Sequence, residues 1–294
     1  MLELNDDNYL VNTVDFFTPI YKDPYIFGQI AATNAVSDIF AMGGEVLNCL
    51  NILAFPSLID EDTIAEILKG AIDKVNEAGG VIAGGHTIST DHIIYGLSVN
   101  GIVKKNRLKT NDGAKPKQKI IITKKIGTGI YSKVININKD LEDCLEVIES
   151  MTTLNKRAAE IAQKYSVSAI TDVTGFGILG HLCEVTKASG ISASIYMKKV
   201  PLFKRTKELS IRYPNGGMTR NACFFGKHIK FTKNADLEEY KNILFDPQTS
   251  GGLMLFVDED DANNLLSELH KEGIMQASII GETEKLNDKL IKVL

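Results

Sequence analysis

A polar stretch at residues 104–119 constrains the fold most, because it divides the chain into two parts. Its sequence, KKNRLKTNDGAKPKQK, has almost no apolar side chains and contains glycine and proline, a composition typical of a boundary between folding units. On both sides of it, segments with the periodicity of strands alternate with segments of helical periodicity. We therefore predict two α/β or α+β units, residues 1–108 and residues 109–294.

The predicted elements follow from hydrophobic spacing and from glycine or proline at their ends. In the first unit the strands are predicted at residues 9–15, 45–54, 81–83 and 93–103, and the helices at 24–42 and 63–78. In the second unit a strand at 120–123 leads to a glycine turn at 127–129, which is followed by helices from about 140 to 165. Beyond these helices we predict a strand at 167–171, a helix at 176–189, a strand at 191–197, a polar loop-rich segment at 201–231, a strand at 253–257, a helix at 262–272 and a strand at 278–280.

The composition is that of an ordinary globular protein. Of the residues, 44% are hydrophobic and 24% charged, and the net charge of -4 does not favour nucleic acid or an anionic membrane as a partner. The cysteines lack a CxxC or metal-finger pattern, which favours reduced thiols. The N-terminus lacks the apolar core of a signal peptide, and no apolar run approaches bilayer length. We therefore expect a cytoplasmic protein.

Two loops centred on aspartates carry the strongest functional signal. They are Thr171–His181, TDVTGFGILGH, and Asp246–Gly252, DPQTSGG, in which acids stand beside small hydroxyl and glycine residues. Two further acids, Asp15 and Asp38, follow apolar runs. Carboxylates repel phosphate, so acids beside glycine loops suit a nucleotide only if Mg²⁺ bridges the two. The pattern indicates ATP chemistry that depends on metal ions.

Each acid also has a simpler interpretation. Asn34 and Asp38 are four residues apart and would share one face of a helix, which could be an ordinary solvated surface. Asp15 could form a turn at the end of a strand. Asp172 could cap the following helix, and Asp246 could stand in a plain turn.

Two glycine motifs resemble nucleotide fingerprints imperfectly. Gly175–Gly180 matches GxGxxG after a predicted strand, but no acid lies about 20 residues further on to hold a ribose, and Asp172 would repel a bare pyrophosphate. Residues 80–87, GVIAGGHT, match a P-loop except that His86 replaces the lysine. No helix is predicted after them, so a glycine bend between strands remains the alternative. His86, His92 and His181 show no zinc spacing and are individually more typical of structural histidines.

Taken in order, several stretches resemble one family, the selenophosphate synthetases, also called selenide, water dikinases. The resemblance spans nearly the whole chain and is carried by NTVDFFTPI (12–20), DPYIFGQIAATNAVSDIFAMGG (23–44), LNILAFP (50–56), GGVIAGGHTI (79–88), IITKKIGTGI (121–130), ESMTTLN (149–155), TDVTGFGILGH (171–181), NGGMTRN (215–221) and FDPQTSGGLM (245–254). It implies the two-domain fold of the aminoimidazole ribonucleotide synthetase superfamily. In that fold the chain is a homodimer, its N-terminal sheets form a barrel at the dimer interface, and the C-terminal domain is α/β.

The resemblance also implies a reaction and a set of binding residues. ATP, selenide and water would give selenophosphate, orthophosphate and AMP, with Mg²⁺ as the metal ion. By position in the matched motifs, the metal ligands would be Asp38 and Asp172, and the residues that contact ATP would be Asp15, Asn34, Asp38, Gly85, His86 and Thr87.

The family's reactive residues precede the first motif that this chain matches. They are a cysteine or selenocysteine and a nearby lysine in a glycine-rich segment, followed by an Asp-Asp-Ala-Ala motif with a further metal ligand. The chain begins at Met1, after these motifs, and none of its four cysteines stands at the reactive position. We therefore assign no catalytic residue, expect an N-terminally shortened form, and expect little or no selenophosphate synthesis by it.

Two rival functions fit part of the same pattern. One is another ATP-using enzyme of the superfamily, such as a thiamine monophosphate kinase, which would release ADP rather than AMP. The other is a non-catalytic dimeric protein that binds Mg-ATP.

Overall fold

The computed structural model describes residues 1–137 and 142–294, which form two sheets with helices packed against them. The first sheet has the order β1-β2-β5-β3-β4. Its strands are β1 (Leu2–Glu3), β2 (Asn8–Phe17), β3 (Glu45–Phe55), β4 (Val81–Ser89) and β5 (Ile94–Lys104). Two helices join them, α1 (Pro24–Ala41) and α2 (Glu61–Ala78).

The second sheet has the order β7-β10-β6-β11-β8-β12-β9. Its strands are β6 (Gln118–Ile122), β7 (Val167–Asp172), β8 (Ile191–Ile195), β9 (Ile229–Phe231), β10 (Leu253–Asp258), β11 (Ser278–Lys285) and β12 (Ile291–Val293). The helices described in this part are α3 (Thr128–Ile137), α4 (Glu142–Thr152), α5 (Lys156–Ala162), α6 (Gly177–Ser189), α7 (Thr206–Arg212), α8 (Gly216–Phe225), α9 (Glu238–Phe245) and α10 (Glu259–Lys271). The predicted mixture of strands and helices is confirmed.

Helix α1 lies at the centre of the molecule. Asp23 caps its N-terminus by accepting a hydrogen bond from the Ile26 amide, and Pro24 supplies a first-turn residue with no amide proton to satisfy. Most of the helix is buried, because α1 packs against α2 and the first sheet on one side and against α4 and β7 of the second part on the other. Polar side chains of α1 therefore meet the second part of the chain directly.

The two faces of the first sheet have different surroundings. Side chains of β2 and β5 that point toward the helices, such as Val11 and Leu97, are buried in a core that continues into the second sheet. The opposite face is open, and Val14 and Phe16 are 52% and 54% exposed there. The sheet is also open at its edges in a single chain, so the predicted barrel would need strands from a second copy.

The structure corrects several predictions of secondary structure, three of which concern the surroundings of the site. Helix α3 begins at Thr128, where the sequence pattern predicted only a glycine turn. The segment 201–231, predicted to be loop-rich, contains α7 and α8. Strand β4 continues to Ser89, six residues beyond its predicted end. The predicted start of the helices near residue 140 lies outside the described residues.

Candidate active site

Three acids from distant parts of the sequence lie together where the two parts of the chain meet. Asp15 lies on β2, Asp38 near the end of α1, and Asp172 is the last residue of β7. The hydroxyl group of Thr13, two residues before Asp15 on the same face of β2, donates a hydrogen bond of 2.6 Å to Asp38 Oδ2. This bond fixes the C-terminal part of α1 against β2.

The electrostatics of these acids show that they form one cluster. Burial raises the pKa of Asp15 to about 7, and the neighbouring carboxylate of Asp38 adds to the rise. The pKa of Asp172 is raised well above its usual range, first by burial and then by Asp38 and Asp15, while a hydrogen bond from the Ser37 hydroxyl group opposes the rise. Like charges repel at short range, so the cluster favours binding a cation or holding protons.

Buried hydrogen bonds hold the two parts of the chain together beside this cluster. Asn155, which is 3% exposed, donates from Nδ2 to the Ser37 hydroxyl group at 2.9 Å and to the Gly251 carbonyl group at 2.8 Å. The Ser250 amide donates to Asn34 Oδ1 at 2.8 Å. Ser37, which hydrogen-bonds Asp172, is therefore held by the same contacts that join α1 to the 250–252 loop.

The surroundings of Asn34 differ from those expected of a side chain that contacts a nucleotide. Asn34 and Asp38 share one face of α1, as predicted, and the structure adds that this face meets the second part of the chain. The Asn34 side chain is only 6% exposed, however, and its oxygen already accepts the bond from Ser250. The described contacts give Asn34 a role in joining the two parts, and its predicted contact with ATP stays a prediction.

Lys124 is a buried cation that the sequence analysis did not single out. Its ammonium group donates to the carbonyl groups of Ser150, Thr153 and Ser250 at 3.0, 2.6 and 2.9 Å. Burial lowers its pKa to about 7, and the negative charge of Asp172 opposes this. Lys124 thus links the end of α4 to the 250–252 loop. Its position in the motif IITKKIGTGI was the only signal that could have identified it.

Asp246, the centre of the second acid loop, lies outside the cluster. It is fully buried, and its carboxylate accepts hydrogen bonds from the Ile130 amide, Asn215 Nδ2 and Gln248 Nε2 at 3.1, 2.8 and 2.9 Å. Gln248 Oε1 in turn accepts from the amides of Gly127 and Thr128. These side chains cap the N-terminus of α3. The interpretation of this loop as a metal-binding acid loop is therefore wrong for Asp246, whose carboxylate has a structural role.

The glycine-rich motif at 80–87 forms an edge strand. Gly85, His86 and Thr87 are exposed on β4, which pairs in parallel with β3 and, among the described strands, has no partner on its other side. No helix follows β4 directly, so the P-loop is excluded, as the sequence indicated. Gly85 and Asp15 lie in one row across the sheet, through Asn51 and Leu97, and are separated by three strand spacings, about 14 Å. Within one chain, Gly85 is therefore too far from Asp15 for direct contact.

The other glycine motif does connect to the cluster. Gly175–Gly180 follow β7 and open α6, so they carry the loop directly after Asp172. Strand β7 pairs antiparallel with β10 rather than parallel with β8, which is unlike the βαβ unit of a dinucleotide fold. The loop is held by Asn221 Nδ2, which donates to the carbonyl groups of Gly175 and Phe245 at 3.0 and 2.9 Å.

The acid cluster suits Mg²⁺ in its chemistry. All of its ligating atoms are carboxylate oxygens, and Mg²⁺ is usually held by one or two carboxylates together with phosphates and water. In residues 1–137 and 142–294, no three His, Cys, Asp or Glu side chains are already arranged as a metal site. An incomplete set of protein ligands fits an ion that arrives with a phosphate group better than one held by protein alone.

The chain matches known families over almost its whole length. Residues 1–103 match the AIR synthase related protein, N-terminal domain, and residues 115–292 match its C-terminal domain. The selenide, water dikinase of Clostridioides difficile is 44% identical over 99% of this chain and 84% of its own length. Selenide, water dikinase 2 of Peptoclostridium acidaminophilum is 42% identical with the same coverage.

Solved structures share the fold at low sequence identity. The thiamine-monophosphate kinase of Stenotrophomonas maltophilia aligns with a TM-score of 0.74 and 16% identity, over 100% of this chain and 87% of that chain. The hydrogenase maturation protein HypE in complex with ATP aligns with a TM-score of 0.71 and 17% identity, over 100% and 84%.

The predicted fold class and family are both confirmed, and the barrel at a dimer interface stays a prediction. Of the helices in the described part of the chain, none combines the length and apolar character needed to cross a membrane. The fold, the order of the motifs and the relatives agree, and the chain belongs to the AIR synthase related family and, within it, to the selenide, water dikinases.

Proposed function

We propose that the chain serves the ATP-dependent synthesis of selenophosphate from selenide and water, with release of AMP and orthophosphate. The relatives that share 39–44% of their residues with it are named for this reaction. The observation that carries the proposal is the convergence of Asp15, Asp38 and Asp172 in one cluster between the two parts of the chain. The chain works in the cytoplasm.

The acid cluster would hold Mg²⁺ ions through Asp38 and Asp172, with Asp15 beside them. Bound Mg²⁺ would neutralise the charge of the triphosphate and orient the phosphorus atoms for displacement. The chain's own residues prepare this site, because β2, α1 and β7 bring the carboxylates together before any ligand arrives. The hydrogen bond from Ser37 opposes the rise in the pKa of Asp172 that burial and the neighbouring carboxylates cause.

The edge strand β4 would bind the nucleotide in another part of the same site. A strand at the edge of a sheet has amide groups without a partner strand, and such groups can donate to phosphate oxygens. Gly84 and Gly85 have no side chains to obstruct that approach. We propose that Gly85, His86 and Thr87 contact ATP, which would extend from β4 toward the acids or bind against the acids of a second copy.

The surface of the first sheet supports a homodimer. Its open face and edges carry exposed apolar side chains, namely Val14, Phe16, Leu47, Leu50, Val81 and Ile88. A second copy would bury these side chains and close the two sheets into the barrel expected from the resemblance. We propose residues 1–108 as the dimerisation and ATP-binding domain and residues 109–294 as the α/β domain.

The products and the metal dependence of the reaction test the proposal. Phosphorus NMR with ATP, selenide and Mg²⁺ should show selenophosphate, orthophosphate and AMP when the chain is joined to the family's segment that carries the reactive cysteine or selenocysteine, and little or no selenophosphate with residues 1–294 alone. If ADP were the final nucleotide and no selenophosphate formed, the chain would be another ATP-using enzyme of the superfamily. ATP bound without turnover would indicate the non-catalytic alternative.

The acids are tested by neutral substitutions. Asp172→Asn should raise the melting temperature in metal-free buffer, because it removes repulsion within the cluster. It should also abolish most of the rise in melting temperature that Mg-ATP produces in the wild type. Asp288→Asn, at an exposed position in the second part of the chain, is the matched control and should change neither value. Equal stabilisation of wild type and Asp172→Asn by Mg-ATP would refute the assignment of Asp172.

A further inference from the structure

The loop that follows Asp172 leaves the sheet abruptly and needs support from elsewhere. The ladder of β7 and β10 ends with Asp172 opposite Leu253, and one further bond joins the Val173 amide to the Gly252 carbonyl group at 2.9 Å. The next amide, that of Thr174, points away from the sheet. Its hydrogen-bond partner decides how firmly the backbone beside Asp172 is held.

His181 supplies that partner. It lies in α6, is 8% exposed, and its Nε2 atom is 3.0 Å from the Thr174 amide nitrogen and 3.3 Å from the Thr174 hydroxyl oxygen. An amide can only donate, so Nε2 must carry a lone pair and the ring proton must lie on Nδ1. Nδ1 faces the Glu184 carboxylate at 3.4 Å, a partner that favours this tautomer.

The carbonyl group of Thr174 is also held by hydrogen bonds. The Thr174 carbonyl group accepts hydrogen bonds from the Gly177 amide at 3.0 Å and the Gln248 amide at 2.9 Å. Phe176 packs over the His181 ring, with centroids 5.5 Å apart. Thr174 is therefore fixed from both sides, and the acceptor for its amide comes from a side chain seven residues away.

We propose that His181, in its Nδ1-protonated form, is a positioning residue for Asp172. It holds the Thr174 amide and thereby sets the direction in which the Asp172 carboxylate leaves β7. The inference rests on the proposed function, because its effect is felt through Mg²⁺ bound at Asp172. In this proposal His181 acts through the Thr174 backbone and makes no contact of its own with the metal or the nucleotide.

Two substitutions separate the hydrogen bond from the packing of the ring. His181→Phe keeps a ring of similar size but offers no acceptor. His181→Gln can place its side-chain oxygen near the position of Nε2 and restore the acceptor. Groups that orient a metal ligand typically change metal affinity by about 10- to 100-fold when they are lost. We expect His181→Phe to raise the Mg²⁺ concentration that half-saturates ATP binding by about tenfold or more, and His181→Gln to recover most of this loss.

The experiment measures Mg²⁺-dependent ATP binding by calorimetry in a double-mutant cycle with Asp172→Asn. If His181 acts through Asp172, His181→Phe should cause no further loss in the Asp172→Asn background. His270→Phe is the matched control, because His270 is also a helical histidine whose Nε2 atom has a backbone partner, the Ala277 carbonyl group at 2.9 Å. That variant should bind Mg-ATP as the wild type does.

Two measurements on the protein without ligand keep the inference testable if His181→Phe folds poorly. Nitrogen-15 NMR of the wild-type imidazole should show a proton on Nδ1 and none on Nε2. Exchange of the Thr174 amide proton should be faster in His181→Phe than in His181→Gln. A proton on Nε2, or an equal loss of Mg²⁺ affinity with and without Asp172, would overturn the inference alone. If Asp172→Asn had no effect on Mg²⁺ dependence, the proposed function would fail and this inference with it.

Discussion

At the crossing of α1 and α2, replacing a glycine by alanine has two opposite effects on stability. Helix propensity favours the alanine, and steric overlap between the helices opposes it. Gly28 of α1 and Gly70 of α2 lie where the helix backbones touch. A methyl group on Gly70 would lie 2.0 Å from the Tyr25 carbonyl oxygen, and one on Gly28 would lie 2.0 Å from the Ile67 carbonyl oxygen. Both obstacles are backbone atoms, so no side-chain rotation can relieve the overlap.

The size of the effect follows from these distances. Ordinary van der Waals contact begins near 3.4 Å, so Gly70→Ala would push the helices apart by up to 1.4 Å, the difference between 3.4 and 2.0 Å. Gaps of 0.5 to 1 Å already lose roughly a quarter to a half of the dispersion energy of each contact. Overpacking of a core costs about 1–3 kcal/mol, and a backbone obstacle places this site at the upper end. Alanine gains about 1 kcal/mol over glycine in a helix, which leaves a net loss of about 2 kcal/mol.

Thermal unfolding followed by circular dichroism measures the result. A loss of about 2 kcal/mol lowers the melting temperature of a chain of this size by about 3 °C, because the entropy of unfolding is about 2 cal/mol/K per residue. Gly226→Ala is the control, because Gly226 has the helical angles φ -56° and ψ -30° and no atom within 4 Å of an added methyl group. The control should be unchanged or slightly more stable. If Gly70→Ala raised the melting temperature, helix propensity would dominate and the close crossing would be refuted.

Three further predictions concern buried groups. Burial raises the pKa of Asp246 from 3.8 to about 7 despite its hydrogen bonds. Between these two pH values the folded chain keeps a proton that the unfolded chain has released. The stability that this group contributes is therefore fully present below pH 3.8 and is lost as the pH rises to about 7, a change of at most about 4 kcal/mol. Urea unfolding at pH 5 and pH 8 should show the wild type losing stability relative to Asp246→Asn, and a constant difference would contradict the assignment. Asn155→Ala removes the donor shared by Ser37 and Gly251. It should lower the free energy of unfolding, measured with urea, by about 2 kcal/mol, and it should weaken Mg-ATP binding in calorimetry. Unchanged binding would show that this contact does not support the acid cluster. A thiol reagent should modify Cys223, which is exposed, and spare Cys49, whose pKa burial raises to about 12; reaction that persists in Cys223→Ser at the wild-type rate would contradict this.

The elements predicted best were those whose stability is local. Helix α2 has an amphipathic pattern and ends at Gly79 in the left-handed conformation, and both features can be read from neighbouring residues. Helix α3 was missed for the opposite reason. Its N-terminus follows Gly127, which favours a turn, and its capping groups come from Asp246 and Gln248, more than a hundred residues away. No local pattern could report that contact.

In the candidate site, too, some features depend on neighbouring residues and others on contacts between distant residues. Residue type alone singled out Asp15, Asp38 and Asp172 as candidate ligands of a cation. It could not separate them from Asp246, which stands in an equally polar glycine-containing loop. The distinction depends on surroundings. Asp172 ends a strand beside α1 and faces two other carboxylates, whereas Asp246 faces amide donors at the start of a helix. Lys124 was overlooked because a lysine after a strand is usually exposed, and only the packing of α4 and the 250–252 loop buries it.

The amino-acid sequence by itself determined the fold class, the family and the kind of chemistry, because hydrophobic periodicity and ordered motifs are properties of neighbouring residues. Tertiary structure alone decided which acids share a charge environment, which acid caps a helix, and that Gly85 lies about 14 Å from Asp15 across the first sheet. Those outcomes depend on strand register and helix packing. Both bring together residues far apart in the sequence, and the interaction between charges depends on their distance in space.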